Sequence, residues 1–264
     1  MDWPSICRKR LRAGCGLAAL LLLGAACELP RDNPLDPRNP DSRRPKRILI
    51  EAFVNMHTGE PFDQYAIEAL DSLESVYGDR IAVIEYHRNA GSFITPLHRS
   101  ENDILYGRYL EAAGSDNRGV PDVFVDGPEG RSQGASSATS VFIRVQRMLL
   151  PELTEPGLFS IEAVLRRSGS EIRPTATIAR LGSSDASGIR VRAVLLSGAE
   201  AAPAGRVASG FSESAVIGTL GAGETRTVAL PAMACDPASV RACVILVFND
   251  ADQRVMQSEK FQIQ

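Results

Sequence analysis

The sequence predicts an α/β domain followed by an all-β domain, and three observations lead to this. Residues 48–54 form an almost continuous apolar run, which is typical of a strand covered on both faces. Apolar residues with helical spacing follow over residues 65–77, and a second apolar strand follows at 81–84. From Gly157 onward the helical spacing stops, and short alternating runs are separated by Gly, Ser, Pro and Asp.

Residues 1–26 are predicted to be an export signal, because a basic start precedes a short apolar run at residues 13–23. That run is too short to span a bilayer. The segment Leu23-Gly-Ala-Ala-Cys27 resembles a bacterial lipoprotein signal, although its leucine stands four residues before the cysteine rather than three. The resemblance implies that Cys27 becomes the lipidated first residue of the mature chain. The alternative is an ordinary signal peptide cut near Ala26.

Residues 27–45 are predicted to be a Pro-rich, extended tether between the lipid and the folded part. The residue after Cys27 is Glu28, so the aspartate that retains enteric lipoproteins at the inner membrane is missing. The resemblance therefore favours an outer-membrane lipoprotein of a Gram-negative-type cell envelope, facing either the periplasm or the surface. The expected partner of this end of the chain is the membrane, reached through the N-terminal lipid.

Charge excludes one class of partner. Removing residues 1–26 takes away four basic residues and one acidic residue, which leaves 25 basic against 31 acidic residues and a net charge of −6. No basic patch interleaved with aromatic residues is present in the sequence. Nucleic-acid binding is therefore not expected.

The predicted α/β domain covers residues 46–152. The first strand is followed by a turn at Gly59 and by Pro61, which suits the first position of a helix. The strand at 81–84 then completes a right-handed βαβ unit. A helix is expected at 96–113 and a third strand at 123–125. The remaining predicted elements are a short antiparallel strand at Gly130–Gln133 and a last helix at 138–150, capped by Ser136 or Ser137.

Two motifs in this domain resemble thioredoxin-like proteins. In that family a Glu-x-Phe strand precedes Cys-x-x-Cys-Pro, and here Glu51-Ala-Phe53 precedes His57-Thr-Gly-Glu60-Pro61. The segment 119–127, Gly-Val-Pro-Asp-Val-Phe-Val-Asp-Gly, resembles the strand that those proteins enter through a cis-proline, which implies a cis Val120–Pro121 bond. The resemblance implies the fold and denies the redox chemistry, because thiol–disulfide exchange requires a thiolate.

A narrower resemblance covers most of the mature chain. Tyr86-His87 at a strand end and a helical insertion before Gly119 resemble thioredoxin-like outer-membrane lipoproteins of the twenty-eight-kilodalton outer-membrane protein type. The run 244–250 followed by 254–257 resembles the closing hairpin of that family's C-terminal domain.

The predicted all-β domain covers residues 157–264. Six to eight strands are expected, six of them at 159–165, 171–181, 189–195, 225–230, 243–248 and 255–263. This number of short strands without helical spacing predicts an immunoglobulin-like antiparallel β-sandwich. Cys235 and Cys243 are expected to form a disulfide in an oxidising compartment. The alternative is a pair of buried free thiols.

The candidate catalytic chemistry is sparse, and no catalytic residue or cofactor is predicted. His57, His87 and His98 follow or precede predicted elements at one sheet edge and, with Glu60, are weak candidates for a metal site. No His-Glu-x-x-His motif and no Gly-x-Ser-x-Gly elbow occur in the sequence. Surface histidines without a ligand are the simpler interpretation.

These observations predict a non-enzymatic, lipid-anchored envelope protein with a redox-inactive thioredoxin-like domain and a β-sandwich interaction module. One alternative is an enzyme or a metal-binding protein that uses His57 and Glu60. Another is a periplasmic chaperone that binds an extended peptide at Val120 and Pro121. An extended peptide or another envelope protein is the expected macromolecular partner.

Overall fold

A computed structural model describes residues 33–199 and 202–263, with the side chains of residues 199 and 202–204 left out. The export signal and Cys27 lie outside the described residues. The described residues belong to one compact unit. Among them, no helix is both long enough and apolar enough to cross a membrane.

Three α-helices, one 3₁₀ helix (Gly78–Arg80) and fifteen strands make up the described chain. The helices are α1 (Phe62–Tyr77), α2 (Ser100–Ala112) and α3 (Ala138–Glu152). The strands of the first half are β1 (Arg44–Pro45), β2 (Ile48–Val54), β3 (Ile81–His87), β4 (Asp122–Val125) and β5 (Gly130–Gln133). The strands of the second half are β6 (Pro156–Gly157), β7 (Phe159–Ser168), β8 (Glu171–Arg180), β9 (Ala186–Ala199), β10 (Ala202–Glu213), β11 (Ile217–Leu220), β12 (Thr225–Ala229), β13 (Met233–Ala234), β14 (Val240–Asn249) and β15 (Val255–Gln262).

One large sheet runs through both halves of the molecule, in the order β15-β14-β9-β10-β3-β2-β4-β5, and β11 pairs beside β9. Strands β2 and β3 are parallel, whereas β4 and β5 are antiparallel to their neighbours. A smaller sheet of β7, β8, β12 and β13 faces the β-rich end of the large sheet. The coarse prediction of a mixed α/β part and a β-sandwich part agrees with this arrangement. The two predicted domains nevertheless share one sheet.

Three apolar cores follow from this layering. The first lies between one face of the α/β part of the sheet and helices α1 and α3. The second lies between the two sheets of the sandwich. The third lies under α2 and combines side chains of β2 and β3 with side chains of β9, β10, β14 and β15. Because the third core draws on both halves, the halves pack together as one body.

The two halves of the large sheet are joined by little backbone pairing and by a buried ion-pair network. Strand β10 pairs with β3 in parallel at the single pair Val207 and Glu85. The adjacent Arg206 is 1% exposed and donates to Glu85 at 2.8 Å and to Glu74 of α1 at 2.7 Å. Breaking a buried ion pair by removing one partner is costly, so Arg206 locks β10 against β3.

The prediction that residues 27–45 form an extended tether is wrong for residues 33–45. The segment packs on the body, and Ser42 is 1% exposed and accepts a hydrogen bond from the Gly182 N–H at 2.9 Å. Strand β1 pairs with β6. Residues 27–32 lie outside the described residues.

Three Asx-Pro dipeptides explain why this segment turns instead of extending. Asn33, Asp36 and Asn39 each precede a proline, and each side-chain Oδ1 accepts the N–H two residues further on, at 2.9–3.0 Å. The backbone N–H groups of Asp36, Asn39 and Ser42 donate to the carbonyl three residues back. Asn-Pro and Asp-Pro favour turn initiation, and three in succession coil the chain into a compact strap.

Cys235 and Cys243 are free thiols, which contradicts the predicted disulfide. Cys243 lies in the middle of β14 in the large sheet, whereas Cys235 follows β13 of the small sheet. Packed sheets are about 10 Å apart. A disulfide requires Cα atoms within about 4.4–6.8 Å, so residues on facing sheets bridge only where the sheets approach closely.

The burial of Cys243 predicts its reactivity. Its thiol is fully buried, and burial raises its pKa to about 12, so little thiolate forms near neutral pH. We expect Cys243 to resist a thiol reagent at pH 8 in the folded protein, and both cysteines to react after unfolding in urea without reductant. Colorimetric thiol counting measures both states. A thiol count that rises only after reductant is added would show that the two cysteines form a disulfide.

Candidate functional site

The ends of β2 and β3 and the start of β4 meet at one edge of the sheet, here called the rim. Val54 pairs with His87 across β2 and β3, and Phe53 pairs with Asp122 across β2 and β4. Pro121, one residue before Asp122, therefore lies beside the end of β2. The turn at residues 55–61 leaves from the same end. The rim thus brings together the turn, His87 and the proline loop.

His57 and Glu60 are both exposed in the turn that precedes α1. Buried Asn55 organises this turn, because its Oδ1 accepts the His57 N–H at 2.9 Å and its Nδ2 donates to the Phe93 carbonyl at 2.8 Å. Pro61 is the residue before the helix rather than its first residue. An imidazole and a carboxylate therefore face solvent at the start of α1.

Asp63 lies in the first turn of α1 beneath this loop and is 2% exposed. Its Oδ1 accepts the Asn55 N–H at 3.0 Å. Burial raises the pKa of Asp63 to about 6, against the lowering effects of the Asn55 N–H, the Thr58 hydroxyl and His87. The carboxyl therefore binds a proton more readily in the folded chain than in the unfolded chain.

This shift predicts a pH-dependent stability. Because the folded pKa of about 6 exceeds the ordinary value of 3.8, the contribution of Asp63 is fully present below about pH 4 and is lost as the pH rises through about 6. Between these pH values, Asp63 should lower the free energy of unfolding of the wild-type protein by about 1–3 kcal/mol. We expect this decrease to be absent in Asp63→Asn. Urea unfolding at pH 4 to 7.5 measures it. Asp116→Asn, at an exposed loop position, is the control, and identical profiles for wild type and Asp63→Asn would contradict the shift.

The three histidines occupy different environments. His87 is 1% exposed, and its Nε2 lies 3.8 Å from Glu85 Oε2, beyond hydrogen-bond range. The His98 Nε2 lies 2.8 Å from Asp103 Oδ2. Across residues 33–199 and 202–263, no three His, Cys, Asp or Glu side chains are grouped so that they could hold a metal ion. The structure therefore does not bring His57, His87 and His98 together.

The Val120–Pro121 peptide bond is cis. The loop is held from both sides, because Gly134 donates to the Pro121 carbonyl at 2.8 Å and the Tyr106 hydroxyl accepts the Gly119 N–H at 3.1 Å. Val120 itself is half-buried, and within the described chain its backbone N–H and C=O make no hydrogen bond. One unpaired peptide unit is thus presented at the rim.

Exposed apolar side chains lie on the segments that leave the ends of β2 and β3. Phe62 at the start of α1 is 43% exposed, and Phe93 and Ile94 in the loop after β3 are 46% and 72% exposed. The Phe93 carbonyl is tied to Asn55, so its loop is fixed against the turn that carries His57. The rim therefore combines a free peptide edge with apolar surface.

Two buried charged groups near the rim were missed by sequence reasoning. Asp122, directly after the cis-proline, is fully buried and accepts hydrogen bonds from Arg131 and from the Tyr106 hydroxyl at 2.8 Å. Glu51 is also fully buried, and it accepts hydrogen bonds from the hydroxyls of Tyr86 and Tyr109. The signal in the sequence was an acidic residue within, or at the start of, an otherwise apolar strand.

No family model and no curated protein matches this chain. Among solved structures, HBP35 of Porphyromonas gingivalis is similar with a TM-score of 0.61 at 11% identity, over 83% of this chain and 76% of that chain. Protein AGR_C_4864 from Agrobacterium tumefaciens is similar with a TM-score of 0.53 at 14% identity, over 83% of this chain and 95% of that chain. At such low identity the likeness shows the fold alone, and its extent covers both halves of the chain.

Proposed function

We propose that this protein is a non-enzymatic, lipid-anchored protein of the cell envelope. Its α/β half is a thioredoxin-like domain that has lost its dithiol, and its β-sandwich half is an interaction module. The observation that carries the proposal is the placement of His57 and Glu60 in an exposed turn directly before α1, at the same rim as cis-Pro121. Thioredoxins carry their two cysteines in that place. An imidazole and a carboxylate cannot replace a thiolate in disulfide exchange.

The arrangement of the sheet supports the thioredoxin-like part of the proposal. The parallel unit β2-α1-β3, the antiparallel strands β4 and β5, and α3 packed beside α1 follow the order of elements in that fold. The cis-proline directly precedes β4. Helix α2 is the insertion between the two parts of the motif.

The packed strap limits the distance between the proposed lipid anchor and the folded part of the chain. If the mature chain begins at Cys27, only residues 27–32 separate the lipid from the first described turn at Asn33. Six residues can span at most about 20 Å. The proposal therefore places the body close to the bilayer surface.

Two measurements test this function. Intact-mass analysis of the protein from the membrane fraction should show cleavage before Cys27 and an added lipid mass. In an insulin-reduction assay, the wild-type chain should give no turnover above background. A wild-type turnover rate above background would overturn the loss of redox activity.

A gain-of-function variant separates a lost dithiol from a wrong fold assignment. The double substitution His57→Cys and Glu60→Cys restores Cys-x-x-Cys-Pro at the start of α1, and both positions are exposed, so the fold should tolerate it. We expect the double variant to reduce insulin measurably, whereas each single variant should not. A folded double variant without turnover would count against thioredoxin-like geometry at this rim.

A second candidate function is the binding of an extended peptide at the rim. It is favoured by the unpaired peptide unit of Val120 and by the exposed Phe62, Phe93 and Ile94 on the segments that follow β2 and β3. An added strand gains main-chain hydrogen bonds at such an edge. A photocrosslinker at position 120 should capture an apolar extended peptide, and Phe93→Ser should reduce capture. Ile104→Ser, at a 63% exposed position on α2, is the control. Equal capture by the wild-type, Phe93→Ser and Ile104→Ser chains would exclude peptide binding at the rim.

A further inference from the structure

A cavity of about 390 Å³ lies where the two halves of the chain meet, away from the rim. It is bordered by the entry to β2, the β6–β7 connection, the end of β8, the start of β9 and the β14–β15 hairpin. Small-molecule sites have volumes of about 300–1,000 Å³ and occur preferentially at such junctions. The cavity therefore has the size and position of a ligand site.

Arg180, at the end of β8, is the unusual residue of this cavity. It is 6% exposed, and its guanidinium donates to the Ser184 carbonyl at 2.7 Å, the Leu158 carbonyl at 3.0 Å and the Ser184 hydroxyl at 2.8 Å. All three acceptors are neutral. Since a guanidinium carries five N–H donors, two remain uncommitted.

The charge of Arg180 is also uncompensated. In the part of the chain that the structure describes, Arg180 forms no ion pair with a carboxylate, in contrast to the buried Arg192 and Arg206. Burial lowers the pKa of Arg180, and the more distant Asp185 opposes this only in part. A buried charge without a partner is unfavourable. An anion entering the cavity would relieve that cost.

The other charged side chains of the cavity differ in whether they are free to bind a ligand. Lys46 is already paired with Asp126 at 2.8 Å and with Glu152. Arg254 has a side chain that is 53% exposed and lies 3.8 Å from Glu152, so it is held weakly. Asp185 and Glu155 also border the cavity, and Asp185 accepts the Ala222 N–H at 2.9 Å. Arg254 is therefore the second cation that can turn toward a ligand.

The remaining wall of the cavity is apolar. Phe159 is 1% exposed, and its ring lies 5.0 Å from the Arg180 guanidinium. Val255 is fully buried, and Leu158 and Met256 are half-buried on the same wall. A ligand that satisfies both parts of the cavity needs an anionic head and an apolar body.

We propose that this cavity binds a small amphipathic carboxylate, with its head on Arg180 and Arg254 and its apolar body against the half-buried Leu158 and Met256. This site goes beyond the proposed function, because neither the anchor nor the rim is part of it. Arg–carboxylate pairs are strong when they are desolvated and bidentate. The apolar wall selects for a tail of a few carbons or a single ring.

The test is calorimetric titration of the purified full chain with 4-phenylbutyrate, with 4-phenylbutanamide as the uncharged probe and inorganic phosphate as the head-only probe. We expect saturable binding of 4-phenylbutyrate and at least tenfold weaker binding of both other probes. Arg180→Gln should weaken binding at least tenfold. Arg173→Gln, on the same strand with a 67% exposed side chain, should bind like wild type.

A second variant keeps the test decisive if Arg180→Gln does not fold. Ser187→Trp places a large side chain at an exposed position on the cavity border, and it should abolish binding without altering the thermal melt. The proposal is overturned by no saturable binding, by equal binding of the acid and the amide, or by equal binding of phosphate. Unchanged binding in a folded Ser187→Trp variant would overturn it as well.

Discussion

Replacing Arg192 with methionine is expected to lower the free energy of unfolding by about 3–5 kcal/mol, because it removes the cation that lies nearest to the fully buried Glu51 and one of the cations paired with Glu213. Arg192 lies on β9 and is fully buried. Its Nε donates to Glu213 at 2.7 Å, and its Nη1 lies 3.8 Å from Glu51 and 3.3 Å from the Tyr109 hydroxyl. Burial raises the pKa of Glu51, and the charge of Arg192 is the main effect that opposes this rise.

The control for this prediction lies two residues away on the same strand. Arg190 also approaches Glu213, at 3.6 Å, but its side chain is 28% exposed. Solvent-accessible ion pairs contribute about 0–1 kcal/mol, so Arg190→Met should cost no more than that. Urea unfolding of both variants at pH 7 measures the difference. Equal costs for the two variants would mean that the buried network does not depend on Arg192.

Replacing Phe53 with alanine is expected to destabilise the protein by about 3–5 kcal/mol, the usual cost of removing a buried aromatic side chain. Phe53 is fully buried on β2 at the centre of an aromatic cluster. Its ring centroid lies 5.0 Å from Tyr86, 4.9 Å from Tyr106, 6.0 Å from Tyr109 and 5.7 Å from Phe124. Truncation would leave a void whose neighbours are fixed by their own hydrogen bonds.

Phe62→Ala is the matched control, because Phe62 is 43% exposed and the substitution is chemically the same. We expect it to change the free energy of unfolding by less than about 1 kcal/mol. Denaturation midpoints followed by circular dichroism measure both variants. A midpoint for Phe53→Ala within error of that for Phe62→Ala would show that the cluster relaxes to fill the void.

Phe53 belongs to the third core and Arg192 to the buried ion-pair network, and both features join the two halves of the chain. Arg192 belongs to the β-sandwich half, but it contacts Tyr109 of α2 and lies near Glu51 of β2. The third core likewise contains residues of both halves. We therefore expect each variant to unfold in one transition at a lower midpoint, rather than to release one half first.

Much of the α/β half was predictable from local pattern. Strand β5 was predicted with the bounds that the structure has, Gly130–Gln133. Ser137 caps α3 and forms a capping box with Ser140, in line with its position before the helical spacing. Helix α2 begins at Ser100, later than the predicted residue 96, and residues 95–98 form a turn closed by the His98 N–H on the Thr95 carbonyl. These features depend on neighbours within a few residues, which a sequence displays directly.

Strand β10 shows what local pattern missed. Its residues, Ala202–Glu213, are rich in Ala, Gly and Ser and include only one β-branched residue, Val207, and one aromatic residue, Phe211. It forms because β9 pairs with it on one side and Arg206 reaches Glu85 and Glu74 on the other. Strand β9 directly precedes β10, but Glu85 and Glu74 lie 121 and 132 residues away from Arg206, so no local window of the chain contains that part of the reason.

The candidate sites divide in the same way. The replacement of two cysteines by His57 and Glu60, and the proline at position 121, can be read from the chain. The protonation of Asp63 and the uncompensated charge of Arg180 cannot, because each depends on burial by elements far along the sequence.

The sequence by itself determined the strands and helices with strong periodicity, the order of the α/β and all-β parts, and the absence of a thiol pair before α1. Only the tertiary structure decided that both parts share one sheet, that residues 33–45 pack as a strap, and that Cys235 and Cys243 are free thiols. The physical reason is the distance along the sequence over which each effect acts. Periodicity and turn chemistry act between near neighbours, whereas desolvation and charge pairing are set by whichever distant segments fold against a residue.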